Sequence, residues 1–427
     1  MNDFLLITAN VGSLFEENCK IKSSWKQGLL NAINSNNAQF IAIHFQEAGG
    51  KHFKEFSICV EPLILELLSS LPQYVSSYAF LDLEYDILDK YTALGSLYLI
   101  HKNFLNYTEL YNFKTSSFES IQKGNYIFSK NLSTIPYMVR EKFPKELWPT
   151  IKWGRKGFLH TKWNLKNKII NLINVHLFHD DSNIMSHENP HIYSNNRANA
   201  LNYVINYIKK NTGETEGFFL FGDFNFRLNL QTFLHKLIPK TVQQKIIPIE
   251  GNDTETEYNL PHTNSFINND SNMNSQISTN DVRDSESNGR KLSLSAIEYH
   301  SEPNLRAQQL LSSGTRVLRL EKKRFVYRDP QSLIKNWTFY KSDDNEVKNY
   351  TYLHEFEITF PPTYPWSEDP ETHNKLMQTR APAWCDRILM NGVAWDALKD
   401  AKNIIYDSAG KDVCMGDHKP VYLSFSL

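Results

Sequence analysis

Asn10, Glu47, His176, Asp223 with Asn225, Asp386, and Asp417 with His418 share one setting: each adjoins an apolar run, and most directly follow one. The stretch around Asp223 shows the pattern. Phe218, Phe219, Leu220 and Phe221 read as a buried strand, Gly222 lets the backbone turn, and Asp223, Asn225 and Arg227 follow. At the two-residue period of an extended chain, Asp223 and Asn225 face one way while Phe224 and Phe226 face the other. A carboxylate so near an aromatic core is costly unless a donor or cation meets it. One such residue is accounted for as a capped strand end. In a packed sheet, however, strands that end together pool their tips into one patch, and this patch holds only Asn, Asp, Glu and His.

Carboxylate and amide oxygens without thiolates suit a hard divalent cation, Mg2+ above all. Magnesium keeps several of its waters, so a few protein oxygens suffice. The other carboxylates and the histidines are then free to orient a water and to donate to phosphate oxygens. Phosphoryl transfer asks for little more. Asp417 and His418 supply an acceptor and a donor at one edge, and Asp386 is placed to hold His418 protonated by ion pairing.

The elements that must carry these residues alternate between strand and helix. The sequence predicts a first strand over 4–11, a helix over 24–33, a strand over 40–47 closing on Gly49-Gly50, a helix over 56–71 and a strand over 91–100. The pattern over 106–153 is irregular and assigns no element. A strand pair is predicted over 156–163 and 169–177, then a helix over 195–208, the strand at Phe218, a helix over 231–237, a strand over 355–360 and a last strand over 421–425. The whole reads as one α/β catalytic domain over 1–427. Residues 251–305, crowded with Asn, Ser, Asp and Thr, read as a disordered insertion in a surface loop, and Arg290-Lys291-Leu292-Ser293 within it has the form of a phosphorylation site.

The 427 residues are 41% hydrophobic and 13% aromatic, enough for a sizeable core, and their net charge of −1 argues against a general nucleic-acid or membrane surface. Four widely spaced cysteines suggest reduced thiols rather than a disulfide or zinc framework. Neither a signal peptide nor an apolar span is evident, and the last residues carry no prenylation cysteine. The expectation is a cytoplasmic protein, with any plasma-membrane contact peripheral and made without a prenyl anchor. Oligomeric state is not legible.

Three long segments then resemble signatures of a known family: Gly222-Asp223-Phe224-Asn225-Phe226-Arg227, Arg380-Ala381-Pro382-Ala383-Trp384-Cys385-Asp386-Arg387-Ile388-Leu389 and Gly416-Asp417-His418-Lys419-Pro420-Val421. They look like those of the inositol polyphosphate 5-phosphatases, within the endonuclease/exonuclease/phosphatase superfamily. The segments 8–15, 46–51, Arg155-Lys156-Gly157-Phe158 and 176–180 are similar to the type I branch. The resemblance implies the DNase I-like fold, a four-layer sandwich of two mixed β-sheets flanked by helices. It implies Mg2+ held by Glu47 with Asn10 beside it, and Asp417 in the metal and water network. It further implies Asp223 orienting and deprotonating the attacking water, Asn225 fixing that geometry, and His176 and His418 donating to the scissile phosphate with Asp386 bracing His418. Substrate-binding candidates are Lys156, Arg197, Lys51, Arg380 and Lys419. Arg387 reads as pinning the loop after Trp384, and Arg227 as structural.

The implied activity is Mg2+-dependent hydrolysis of the 5-phosphate of inositol 1,4,5-trisphosphate and 1,3,4,5-tetrakisphosphate, small-molecule substrates whose removal ends a calcium-release signal. Phosphoinositide-hydrolysing members usually follow Pro-Thr-Tyr with a lysine, whereas here Pro362-Thr363-Tyr364 is followed by Pro365-Trp366. That departure favours soluble inositol phosphates. The alternatives are a lipid 5-phosphatase, a non-catalytic inositol-phosphate-binding scaffold, and another enzyme of the same fold acting on abasic DNA or sphingomyelin.

Overall fold

The computed structural model describes residues 3–16, 20–148, 154–248, 255–259, 294–301 and 314–426. Two mixed sheets face each other. The first runs in the order Ile405–Ser408, Val421–Phe425, Phe4–Asn10, Phe40–Gln46, Gly95–His101, Tyr74–Leu81, Gly124–Phe128. The second runs Leu353–His354, Asp386–Asn391, Gly217–Asp223, Lys168–His176, Gly157–Leu165, Thr108–Asn112, Ser117–Ser120, with Val139–Lys142 also pairing with Gly157–Leu165.

The period-two alternation of the strands explains their unbroken apolar character. Phe4, Leu6, Phe40 and Ala42 point inward to meet Trp163, Leu172, Phe219, Phe221 and Ile388 of the second sheet. Leu5, Ile7, Ile41 and Ile43 point outward under the helices Lys22–Asn36 and Val60–Ser69, which cover them with Trp25, Leu29, Ile33, Leu63 and Leu67. On the far side, Ile173, Val175, Phe218 and Leu220 lie under Leu201, Val204, Ile205 and Ile208 of the helix His191–Asn211. Helix, sheet, sheet, helix: the four layers follow from strands that are apolar on both faces.

The inter-sheet layer is not wholly apolar. Trp163 Nε1 donates to Thr161 Oγ1, which donates to Tyr98 Oη. The Tyr98 hydroxyl donates to His44 Nε2, and His44 Nδ1 donates to the Phe221 carbonyl. Burial holds His44 neutral, with its pKa lowered to about 3, which fits this direction. A second link runs from Thr8 to Gln46 Oε1 and from Gln46 Nε2 to Asn174 Oδ1. Both cross from one sheet to the other with their polar atoms satisfied, as buried groups must be.

Three features differ from the sequence reading. The irregular 106–153 region holds four short strands that extend the edges of both sheets. The expected strand over 355–360 makes no ladder; only Leu353–His354 pairs with the second sheet, and Glu355 instead accepts from Arg387 and Tyr406. The third difference is a further antiparallel sheet, ordered Glu255–Asn259, Thr241–Pro248, Ala296–Ser301, Arg316–Glu321, Arg324–Tyr327. Two of its strands, Glu255–Asn259 and Ala296–Ser301, lie inside the stretch read as a disordered insertion. Residues 251–254, 260–293, with the Ser293 motif, and 302–305 lie outside the described residues. Among the described residues no helix is long and apolar enough to cross a membrane.

Candidate active site

The register of the second sheet aligns three of the chemical residues. His176 pairs with Asp223 across a parallel ladder, and Asp223 pairs with Asp386 across an antiparallel one. Residues opposite each other share a face, so imidazole and two carboxylates form one row. In the first sheet Asn10 pairs with Gln46, and Glu47 follows at once. The facing ends of both sheets thus supply one patch.

Two of the patch's residues have left-handed backbones, Glu47 at φ 58° and Asn225 at φ 53°. Asn tolerates this conformation, whereas for Glu it is uncommon. Asp223, 1% exposed, accepts at Oδ1 from the Asn225 main-chain N–H at 2.8 Å and at Oδ2 from Asn10 Nδ2 at 3.0 Å, with His176 Nε2 at 3.4 Å. Burial pushes this carboxyl up, but the His176 hydrogen bond and the charges of His418 and Lys156 outweigh it and hold Asp223 far below the usual carboxylate range. Asn225 Nδ2 donates to the Leu177 carbonyl at 3.1 Å, which fixes the turn after the strand.

His418 Nδ1 donates to Asp386 Oδ2 at 2.8 Å, and Thr363 Oγ1 donates to the same oxygen at 2.7 Å. Burial lowers the His418 pKa, but Asp386 and Asp417 raise it to about 10, so the imidazole is charged at neutral pH. Lys156 Nζ contacts His176 Nε2, and burial brings its pKa down to about 8. His176 Nδ1 is buried without a protein partner, so Nε2 is the ring atom that faces both Lys156 and Asp223.

For a divalent cation, the convergent titratable triple Asp223, Asp386 and His418 is a poor holder, because Asp386 and His418 already satisfy each other. A better fit lies at Gly12. A Cβ there would sit 3.0 Å from Glu47 Oε2 and 3.3 Å from Asn10 Oδ1, so a carboxylate and an amide oxygen converge on one point that only glycine leaves open. Burial raises the Glu47 carboxyl, but Arg155, His176 and Lys156 outweigh it and set its pKa at about 2. It is ionised at any working pH, as a metal ligand must be. Asp417 lies in the adjoining loop with Oδ1 accepting from Ser13 Oγ at 2.7 Å.

The structure brings Asn10, Glu47, Lys156, His176, Asp223, Asn225, Asp386 and His418 together, with Asp417 beside them. Lys51 stays at the rim, 60% exposed, between Glu16 and Glu368. Arg197 does not reach the site: it is 2% exposed and its guanidinium is committed to Asp180 and to both oxygens of Glu346. Lys419 does not either, since its Nζ donates to the carbonyls of Gly410, Lys411 and Val413 and lies over Trp366. Both were read as substrate-binding because sequence shows charge but not the partners that neutralise it.

Arg155 and Arg227 were missed. Arg155 donates to Glu47 Oε2 at 3.3 Å and to the Gly50 carbonyl at 2.7 Å; its place beside Lys156 in a quoted segment was the available signal. Arg227 donates to Asn225 Oδ1 at 2.8 Å and covers the Tyr364 ring. Arg387 pins its loop as read, bonding Asp344, Glu355 and the Trp384 carbonyl.

The family described as Endonuclease/Exonuclease/phosphatase family 2 matches residues 7–257 and 269–424. A probable type I inositol 1,4,5-trisphosphate 5-phosphatase of Caenorhabditis elegans is 40% identical over 429 residues, covering 100% of both chains. Inositol polyphosphate-5-phosphatase A of Homo sapiens is 34% identical over 434 residues, covering 99% of this chain and 93% of the human protein. Among solved structures, the inositol polyphosphate 5-phosphatase domain of a synaptojanin, in complex with inositol (1,4)-bisphosphate and calcium, aligns with 99% of this chain and 83% of its own at 13% identity and a TM-score of 0.47.

Proposed function

This chain belongs to the inositol polyphosphate 5-phosphatases, phosphoric monoester hydrolases of endonuclease/exonuclease/phosphatase family 2, and from that premise we propose that it hydrolyses the 5-phosphate of inositol 1,4,5-trisphosphate and 1,3,4,5-tetrakisphosphate with Mg2+ as cofactor, ending a calcium-release signal. The observation that carries the reading is the Asp223 carboxylate, buried and ionised among Asn10, His176, Lys156 and the charged His418.

Water adds to phosphorus, the bond from phosphorus to the inositol oxygen breaks, and the products are inorganic phosphate and the inositol alcohol. Asp223, aimed by the Asn225 N–H and Asn10, accepts a proton from the attacking water. His418, held as imidazolium by Asp386, and Lys156 donate to the non-bridging oxygens, where charge must be stabilised for the nucleophile to approach. Asn225 orients the same edge. Glu47 and Asn10 would hold the cation, with Asp417 in the neighbouring shell. A bound divalent cation would neutralise charge on the phosphate and its leaving oxygen.

The test is phosphate release from inositol 1,4,5-trisphosphate, the 1,3,4,5-tetrakisphosphate and phosphatidylinositol 4,5-bisphosphate in vesicles, beside strand cleavage of abasic duplex DNA. Each is assayed after chelation and again with Mg2+ restored. The reading expects Mg2+-dependent release from the two soluble substrates. Release from the lipid alone would make the protein a lipid 5-phosphatase, and tight binding of the trisphosphate without turnover would make it a scaffold.

A further inference from the structure

Ser13 carries a buried hydroxyl, 8% exposed, that the reaction above leaves unused. It lies in the single helical turn Gly12–Leu14, which follows the first strand shortly after Asn10 and is buried along its length. The final strand pairs antiparallel with the first, Val421 opposite Thr8. The loop entering the final strand, which carries Asp417, therefore meets the turn leaving the first at one end of the sheet.

The two segments touch closely. Gly416 has φ 91°, and a Cβ on it would sit 2.8 Å from Ser13 Cβ and 2.9 Å from Ser13 Oγ. Glycine meets both demands, the left-handed backbone and the close neighbour. The main chain of Asp417 is fixed as well. Its carbonyl accepts from the Trp366 N–H at 2.9 Å, and its own N–H donates to Ser13 Oγ at 3.2 Å. What is left to set is the direction of the Asp417 carboxylate, and Ser13 Oγ donates to Asp417 Oδ1 at 2.7 Å.

A second carboxylate claims the same hydroxyl. Glu368 Oε1 also lies 2.7 Å from Ser13 Oγ. A serine has one hydroxyl proton, so it serves one carboxylate at a time and the two compete. Lys51 Nζ stands 3.6 Å from the same Glu368 oxygen. A cation there draws on the lone pairs that Glu368 would otherwise offer to Ser13, which favours Asp417. Lys51, Glu368, Ser13 and Asp417 thus form a line from the exposed rim to the edge of the metal and water network.

We propose that Ser13 is a positioning residue for the reaction: its hydroxyl aims the Asp417 carboxylate, and Glu368 at the rim competes for that hydroxyl. The proposal rests on the reading under Proposed function for the part that Asp417 plays beside the cation. Ser13 itself touches neither substrate nor metal and acts through the carboxylate that it holds.

The test uses the full chain and two readouts: calorimetric titration with Mg2+ in the absence of substrate, and phosphate release from inositol 1,4,5-trisphosphate as Mg2+ is varied. Ser13→Ala is expected to weaken Mg2+ by about 10-fold, the worth of one hydrogen bond to a charged acceptor. The Mg2+ concentration for half-maximal release rises by a similar factor, with KM for the trisphosphate unchanged. In an Asp417→Asn background the same substitution changes Mg2+ affinity by less than about twofold, because its effect runs through that carboxylate. Glu368→Gln removes the competing charge at constant shape. Comparing its effect with and without the Ser13 hydroxyl separates competition from long-range charge, and Mg2+ binding should gain more where the hydroxyl is present. Thermal melting checks the fold; if Ser13→Ala melts early, Ser13→Cys, close to serine in size with a weaker donor, serves in its place. Unchanged Mg2+ affinity on loss of the hydroxyl, or a loss that persists in full in the Asp417→Asn background, overturns the assignment. An equal effect of Glu368→Gln with and without the hydroxyl overturns the competition. A wild-type protein that releases no phosphate from the trisphosphate sinks the functional reading instead, and the calorimetric cycle still decides Ser13.

Discussion

Glu47 offers a way to separate backbone strain from chemistry. Its φ of 58° places an L-residue in a left-handed conformation that costs about 1–2 kcal/mol. Glycine escapes that cost but loses roughly 0.5–1 kcal/mol more chain entropy than alanine on folding. Both Glu47→Gly and Glu47→Ala delete the carboxylate, so their difference isolates the backbone, and the glycine variant should be the more stable by about 0.5–1 kcal/mol. The ion pair lost with Arg155 is 3.3 Å long with side chains 19% and 27% exposed, and such a pair contributes under about 1 kcal/mol. Glu47→Gly should therefore unfold in urea within about 1 kcal/mol of wild type, while both variants lose about 100-fold or more in phosphate release. The assay is a pair of urea titrations at pH 7 beside a phosphate-release measurement. An alanine variant more stable than glycine would refute the strain. A loss of about 3 kcal/mol or more in Glu47→Gly, the signature of a broken buried ion pair, would make Glu47 a structural residue.

Asp223→Asn keeps the shape of the side chain and removes the proton acceptor, so turnover should fall by about 10²- to 10⁴-fold with an unchanged melting temperature; undiminished release would remove Asp223 from the mechanism. Arg197→Met should destabilise by about 3–5 kcal/mol, because Asp180 and Glu346 lose their shared cation, with KM near wild type; a raised KM in a fully stable variant would return Arg197 to the substrate. His44 and His160 have pKa values lowered by burial to about 3 and about 4, so below the unfolded value near 6.5 only the unfolded chain takes up these protons. Stability contributed by their neutral forms is complete above that pH and falls as pH drops from about 6.5 toward 4, by about 2 kcal/mol per histidine at pH 5. Urea midpoints at pH 7 and pH 5, compared with those of His44→Gln, check it; an equal pH slope in the variant would exclude His44 as a source.

Much of the site was legible because its residues terminate apolar runs. Asp223, His176 and Glu47 stand out against Phe219, Val175 and Phe45, and the order of strands then decides which tips meet. The parts played by the arginines were not legible for the opposite reason. Arg197, Arg227 and Arg387 have the same chemistry, and only the partners brought by distant loops separate Arg197 and Arg387, each ion-paired with two carboxylates, from Arg227, which bonds the Asn225 amide. Lys419 failed as a candidate because three loop carbonyls claim it. The strand Ala296–Ser301 of the third sheet escaped notice since it is a short alternating run embedded in Ser- and Asn-rich sequence, and composition averaged over the window hid it. Glu355 to Phe360 looked like a strand by alternation, yet Glu355 is claimed by Arg387 and Tyr406 rather than by a ladder.

The chain of hydrogen bonds from Trp163 to the Phe221 carbonyl has a consequence for redesign. A fully aliphatic layer would let one sheet slide along the other at little cost, since methyl groups accept many neighbours. Hydroxyl, phenol and imidazole accept one alignment only, and a slip of two residues would leave every member of the chain unpaired in the dark of the core. Replacing Thr161, Tyr98 and His44 with Val, Phe and Leu should thus give a protein that melts at a similar temperature and catalyses poorly, its two rows of strand tips no longer opposite each other. Variants of this enzyme that stay folded but turn over poorly are to be sought there, well away from any residue that touches phosphate.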